Sequence, residues 1–213
     1  MNTLKITEIF YSLQGETRTV GLPTVFIRLT GCPLRCHYCD TTYAFHGGRR
    51  LSLGEIMAQV ANYSTRYVTV TGGEPLAQSL CVELLTQLCD RNYSVSLETS
   101  GALDIAAVDP RVIKIVDFKT PGSQEVTRNR YENVAALSSH DQVKFVICDR
   151  VDYEWAKAMV KQYNLDERCE VLFSPSYAQI DNHILADWIL ADQLPVRFQL
   201  QLHKYVWGDV PGK

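Results

Sequence analysis

The chain has 213 residues, 46 % of them hydrophobic, which suits one domain with a substantial core, and no linker, repeat or low-complexity tract divides residues 1–213. A formal charge of −3 speaks against binding nucleic acid through a basic face, so the expected partner is a small molecule. No run approaches the roughly 18 apolar residues of a membrane span, and MNTLKITEIF lacks the unbroken apolar stretch of a signal peptide, so a cytoplasmic protein without membrane contact is expected.

In chain order, the first strand-like run is residues 24–30 (TVFIRLT), followed by the cysteine-rich GCPLRCHYCD. Leu53, Ile56, Met57 and Val60 then recur at helical spacing, with Ser52 and Glu55 placed as a capping box. Residues 67–71 (YVTVT) read as a strand, and Leu80, Leu84, Leu85 and Leu88 as a second helix face. Strands follow at 94–98 (SVSLE), 112–117 (VIKIVD) and 142–147 (QVKFVI). Trp155, Met159, Val160 and Tyr163 mark a third helix, with Asp152 as its expected cap, before a strand at 170–174 (EVLFS). Ile184, Leu185, Trp188 and Ile189 mark a fourth helix before a last strand at 197–201 (RFQLQ). These apolar stripes are core contacts.

Strands alternating with helices imply right-handed βαβ units and an α/β fold with a mainly parallel sheet. The unusual polar segments fall just beyond strand C-termini: GCPLRCHYCDT, GGEP, TSG, KTPGS, PSY and LHK. That phase favours a curved, TIM-like barrel arrangement over a flat doubly wound sheet.

Seven cysteines in a chain without a secretion signal are a poor disulfide framework, so reduced thiols are expected. Cys81, Cys89 and Cys148 sit in apolar runs and read as small hydrophobes, while Cys169 has no assignment. Cys32, Cys36 and Cys39 are different. Spaced CxxxCxxC on one loop, three thiolates can hold three irons of a [4Fe–4S] cubane and leave the fourth iron open to a non-protein ligand. A Cys3His zinc site using His37 would strain adjacent positions 36 and 37 around one ion, and a dithiol motif would leave Cys32 unexplained.

CxxxCxxC followed by a strand and GGEP resembles the radical S-adenosylmethionine (SAM) superfamily. The resemblance implies that SAM chelates the open iron and that one electron cleaves it to methionine and a 5′-deoxyadenosyl radical. It also implies an abbreviated, partial TIM-like barrel with fewer helices than strands, and the polar stretch from Pro121 to Asn129 is one place for an irregular connection. Tyr38 matches the family's aromatic position near the adenine, and Cys39 with Asp40 continues that segment. Gly72, Gly73 and Glu74 match the segment that meets the methionine amino group; glycines allow close approach and a carboxylate accepts from an ammonium. Glu98, Thr99 and Ser100 are expected to line the same cavity. Lys119 keeps the positive group of a SAM-pocket motif in which Asp117 and Phe118 depart from close relatives. Ser174, Pro175, Ser176 and Tyr177 match a SAM-lining turn.

EIFYSLQGETRTVGLPTVFIRLTGCPLRC, CDTTY, TGGEP, ETSG and QLHK together resemble, over nearly the whole chain, the 7-carboxy-7-deazaguanine synthase family. That resemblance implies a carbon-nitrogen lyase that converts 6-carboxy-5,6,7,8-tetrahydropterin to 7-carboxy-7-deazaguanine with loss of ammonia, SAM being regenerated. Magnesium, a homodimer and an electron donor such as flavodoxin are implied with it. Leu13, Gln14 and Gly15 match the substrate-binding LQG, where an amide and close backbone suit a pterin edge. Arg28 matches a carboxylate-binding arginine whose planar fork suits bidentate recognition, with a pairing to Asp40 or Glu16 as the structural alternative. Thr41 matches a magnesium ligand, and Thr71 and His203 match substrate contacts, though a histidine in QLHKYVW also fits a packed core. A glycyl-radical activase or a noncatalytic iron-sulfur or zinc module are the other functions compatible with the cysteine loop.

Overall fold

The computed structural model describes residues 3–208 and 210–212. The chain begins with two antiparallel strands, β1 (Thr3–Leu13) and β2 (Pro23–Leu29), followed by the cysteine loop and a short strand β3 (Arg49–Ser52). Helix α1 (Leu53–Val60) starts at the expected capping box: Ser52 accepts from the Glu55 N–H while the Glu55 carboxylate accepts from the Ser52 N–H. There follow β4 (Tyr67–Gly72), α2 (Cys81–Asp90), β5 (Ser94–Thr99), β6 (Ile113–Asp117) and β7 (Gln142–Ile147). The chain closes with α3 (Arg150–Tyr163), α4 (Leu165–Arg168), β8 (Glu170–Pro175), α5 (Asn182–Ala191), β9 (Arg197–Phe198) and α6 (Leu202–Trp207).

Among the described residues nine strands form one sheet in the order β3-β1-β2-β4-β5-β6-β7-β8-β9. From β2 to β9 every neighbouring pair is parallel, whereas β1 runs antiparallel to both β2 and β3. β3 and β9 stand at the two edges, so the barrel is partial. The connections after β5 and β6 carry no α-helix, and the Pro121–Asn129 stretch is built from 3-10 turns at Pro121–Ser123 and Val126–Arg128. A further 3-10 turn spans Tyr131–Ala136.

The two-residue period of the strands sorts side chains onto two faces. Val25, Ile27 and Leu29 of β2, Val68 and Val70 of β4, Val95 and Leu97 of β5, and Val143, Phe145 and Ile147 of β7 join one buried core. Against them pack Ile56, Met57 and Val60 of α1, Leu84, Leu85 and Leu88 of α2, Ala156 and Val160 of α3, and Leu185 and Ile189 of α5. The alternate positions Phe26, Arg28, Thr71, Glu98, Asp117, Lys144 and Val146 face a pocket on the concave side. Hydrophobic burial on the convex face thus carries a polar concave face with it.

Three local expectations change. β1 and β3 were not read from the sequence, and they extend the parallel strands by an antiparallel edge. Asp152 does not cap α3: Asp149 does, accepting from the Asp152 N–H at 2.9 Å, and Asp152 is buried one turn inside. The strand expected at 197–201 is only two residues long, although Gln199 still donates to the Phe173 carbonyl at 2.9 Å. Cys81, Cys89 and Cys169 are buried in the core, Cys148 is half-buried, and all seven cysteines are free. Among the described residues no helix is long and apolar enough to cross a membrane.

Candidate active site

A cavity of about 480 Å³ opens at the C-terminal ends of the parallel strands. Leu13, Gln14, Gly15 and Glu16 form one wall as the chain leaves β1, and His203 and Lys204 approach from α6. Cys32, Cys36, Tyr38, Cys39, Asp40 and Thr41 also line the cavity.

The cysteine loop is locked to GGEP by backbone contact. Glu74 N–H donates to the Gly31 carbonyl at 2.8 Å and Gly73 N–H to the Leu29 carbonyl at 3.2 Å. A Cβ on Gly73 would lie 2.2 Å from the Gly31 oxygen and 2.8 Å from Cys32 Cβ, so only glycine fits there. Gly72 has φ +156°, and a Cβ on it would lie 2.4 Å from the Leu29 oxygen. The glycines therefore seat the cysteine loop as well as lining the cavity.

The donor set suits a cluster. Three half-buried thiols face one cavity, and among the described residues no group of three His, Cys, Asp or Glu gathers closely enough to hold a single ion. Burial pushes all three thiols up, Cys36 to about 11. One buried polar atom at the cavity, the Tyr38 hydroxyl, lacks a hydrogen-bond partner among the described residues, which fits a site built to receive a further polar group.

Arg28 lies on β2 with its Nε donating to Glu8 Oε1 at 2.7 Å, so it pairs with neither Asp40 nor Glu16. Phe10 and Tyr43 flank the guanidinium at 5.7 and 5.9 Å, and Tyr43 also donates to Glu8 at 2.8 Å. Its Nη groups make no hydrogen bond within the described residues and remain available to a ligand. Gly15 lies so close to His203 that a Cβ would approach the ring Nδ1 to 2.2 Å, which places His203 at the cavity rather than in the core. The Gln14 amide donates to Thr69 Oγ1 at 3.0 Å and Glu98 Oε1 at 3.3 Å and accepts from the Glu16 N–H, so it fixes the loop's path. Thr71 donates to Glu98 Oε2 at 2.9 Å. Thr41 donates to Asp40 Oδ1 at 2.8 Å, and Asp40 pairs with Lys204 at 2.8 Å.

Glu74, Ser174, Pro175 and Phe118 do not line the cavity. Glu74 is fully buried behind it and accepts from Leu76 N–H, Thr99 Oγ1 and both the N–H and hydroxyl of Ser100. Its carboxylate thus holds the Thr99–Ser100 wall, while Gly73 and Ser100 themselves face the cavity. Ser174 and Pro175 are buried in β8, and the cavity is reached by Ser176 and Tyr177.

A charge network escaped sequence reasoning. Lys144 on β7 pairs with Glu16 at 2.9 Å and Asp117 at 3.3 Å, and Asp117 also pairs with Lys119 at 3.2 Å. Burial opposes ionisation of Glu16, but Lys144, His203 and Gln201 override it and hold its carboxyl at about 2. Burial and the Glu16 charge push Glu98 the other way, above the ordinary carboxylate range. Asp40 is held at about 2 by Lys204 and Thr41 against the effect of burial. The available signal was a lone lysine in QVKFVI, at an alternate position of a strand whose other face is apolar.

Residues 26–117 match the Radical SAM superfamily. A 7-carboxy-7-deazaguanine synthase from Chlorobaculum tepidum is 45 % identical over 208 residues, covering 96 % of this chain and 94 % of that one. The chain belongs to the 7-carboxy-7-deazaguanine synthase family. A second such synthase, from Koribacter versatilis, is 44 % identical over 96 % of this chain and 97 % of its own. The crystal structure of QueE from Escherichia coli has the same fold, with TM-score 0.79 at 22 % identity over 94 % of this chain and 95 % of that one. As a 7-carboxy-7-deazaguanine synthase family member this is a radical SAM enzyme, and the family implies a [4Fe–4S] cluster and SAM, which the three thiols and the adjoining cavity fit.

Proposed function

We propose that this single domain converts 6-carboxy-5,6,7,8-tetrahydropterin to 7-carboxy-7-deazaguanine with release of ammonia, for queuosine or other 7-deazapurine synthesis. The observation that carries this reading is the Arg28 fork, buttressed by Glu8 and facing the cavity that Gln14, Gly15 and the cysteine loop also line. A planar guanidinium held through Nε keeps its two Nη groups for a carboxylate such as that at the pterin 6-position. Gly15 leaves room for the His203 ring at the cavity, and Thr71, Glu98 and His203 supply polar groups for the pterin.

Cys32, Cys36 and Cys39 would hold the [4Fe–4S] cluster, and Tyr38, Asp40, Gly73 and Lys119 would border SAM, with Ser100, Ser176 and Tyr177 completing that wall. Bound there, the cluster and SAM supply a 5′-deoxyadenosyl radical that starts the ring contraction, after which SAM is regenerated. The chain's own part is to hold the pterin in line and to keep charge balanced in a water-poor cavity. Glu98 accepts from the Gln14 amide and the Thr71 hydroxyl, so it fixes both side chains at the cavity. Thr41 offers a hard oxygen for Mg²⁺, which keeps waters and takes the rest of its shell from substrate. An electron donor such as flavodoxin, a homodimer and a cytoplasmic location complete the proposal.

The test is anaerobic reconstitution, dithionite reduction and addition of SAM with or without the carboxytetrahydropterin. Substrate-dependent appearance of the deazaguanine chromophore is expected. Formation of 5′-deoxyadenosine with no pterin turnover would move the assignment to an activase acting on another protein, and an inert, fully self-coordinated metal would leave only a binding module.

A further inference from the structure

The cysteine loop is held from a second side, by a turn that has no place in the substrate or SAM wall. Arg35 N–H donates to Glu125 Oε1 at 2.5 Å and His37 N–H donates to the Ser123 carbonyl at 3.0 Å. Cys36 is therefore bracketed, the residue before it and the residue after it both tied to the segment between β6 and β7. Arg35 contributes its side chain as well: Nη1 donates to the carbonyls of Cys32 and Leu34, and the guanidinium lies 4.3 Å from the Phe45 ring centroid.

The turn that does this is itself fixed to the core. Thr120 and Ser123 are fully buried. Thr120 Oγ1 donates to the Val146 carbonyl at 3.0 Å and to Asp152 Oδ2 at 3.1 Å, and Gly122 N–H donates to Asp152 Oδ1 at 2.7 Å. Asp152 accepts from Cys148 N–H as well, at 3.1 Å. Ser123 Oγ donates to the Thr120 carbonyl at 2.6 Å and accepts from the Glu125 N–H at 3.0 Å, which aims the Glu125 side chain at the cysteine loop. This is why the acidic residue read as a helix cap is buried: it anchors a turn rather than a helix end.

Loop N–H groups near thiolate ligands are the usual donors to cluster sulfurs, and those hydrogen bonds with the local charge set the reduction potential. Here two such donors are given to oxygen acceptors instead, one of them the Glu125 carboxylate at the residue before Cys36. We propose that Glu125 is a positioning residue for the cluster, fixing the backbone on the N-terminal side of Cys36 so that the thiol is presented at one geometry. The inference rests on the radical SAM reading of Cys32, Cys36 and Cys39, and goes beyond it by assigning the loop's support to a residue outside every motif.

The experiment compares the anaerobically reconstituted parent protein with Glu125→Ala and Glu125→Gln, following iron loss to a chelator, the EPR signal of the dithionite-reduced cluster, and thermal melting of each metal-free form. Glu125→Ala should lose iron roughly tenfold faster and shift the EPR signal, the size of effect that removing a ligand's outer support produces. Glu125→Gln, whose amide oxygen still accepts from Arg35 N–H, should stay within about twofold of the parent. The metal-free forms should melt together, because the bond acts on a surface loop. Equal iron loss in parent and Glu125→Ala would overturn the proposal, as would equally fast loss in both variants, which would assign the effect to charge. So would a lowered metal-free melting temperature that accounts for the loss. A parent that assembles no cluster at all would instead remove the reading underneath.

Discussion

Gly73 packs against Cys32 with no room for a side chain: a Cβ on Gly73 would sit 2.8 Å from Cys32 Cβ and 2.2 Å from the Gly31 carbonyl oxygen. The GGEP and cysteine motifs are therefore one structural unit, joined where β2 and β4 end side by side.

Gly73→Ala is expected to force the two loops apart. Overpacking at a rigid backbone contact costs about 1–3 kcal/mol, and here the strain falls on Gly31 and Cys32 before it reaches the core. The metal-free protein should melt lower by a few degrees and, after reconstitution, should hold less than the parent's iron. Unchanged melting and unchanged iron would mean that the contact relaxes freely.

Arg28→Lys should weaken binding of the carboxytetrahydropterin while leaving SAM binding and cluster assembly as they are. A lysine reaching Glu8 has no second pair of donors for a carboxylate, so the loss is that of a charge-assisted bidentate contact, about 2 kcal/mol or roughly thirtyfold in affinity. Equilibrium binding of the pterin, measured without reductant, reads this separately from turnover. Unaltered pterin affinity would remove the carboxylate assignment.

Much of the fold was legible because buried parallel strands carry dense β-branched and aromatic runs: six of the seven such runs became strands of five to seven residues, and the run at 197–201 a strand of two. β1 was not, because a register shift between Ile6 and Glu8 breaks its alternation and its inner positions, Glu8 and Phe10, answer to Arg28 and Phe26 across the pair. β3 is four residues at an edge, too short for any period. The site's motifs were readable as spacing, but what lies between them was not. Glu74 and Ser174 stand one layer behind the cavity, a difference of depth that a linear motif does not carry. Asp152, Glu125 and Lys144 act through Thr120, Arg35 and Glu16, which lie 32, 90 and 128 residues away, so no local signal marks them.

Gly15 and His203 offer a cleaner test of contact, since the clash expected in Gly15→Ala has a flexible side chain on one side. Gly15→Ala alone should lower the melting temperature and weaken pterin binding. Adding His203→Ala should recover the stability, because the alanine Cβ then enters vacated space, but should not recover pterin binding if His203 is a substrate contact. Additive losses in the double variant would show that the two residues are not coupled.

The Glu16–Lys144 pair makes a prediction in pH. Glu16's carboxyl is held at about 2 in the folded chain against an ordinary value of 4.5, so the unfolded chain binds its proton first as pH falls. The stability this contributes is fully present above about pH 4.5 and is lost progressively as pH drops toward about 2; a shift of this size corresponds to about 3 kcal/mol. Glu16→Gln keeps the shape and hydrogen-bonding oxygen but removes the charge, leaving Lys144 with Asp117 as its paired carboxylate. Urea unfolding at pH 7 should therefore find the variant less stable than the parent by a few kcal/mol. The gap should narrow as the buffer is taken from pH 4.5 to pH 3, because the parent loses what the variant never had. A gap that stays constant over that range would mean that Glu16 is not ionised in the folded protein, and the charge balance assigned to the cavity would have to be redrawn around Asp117 alone.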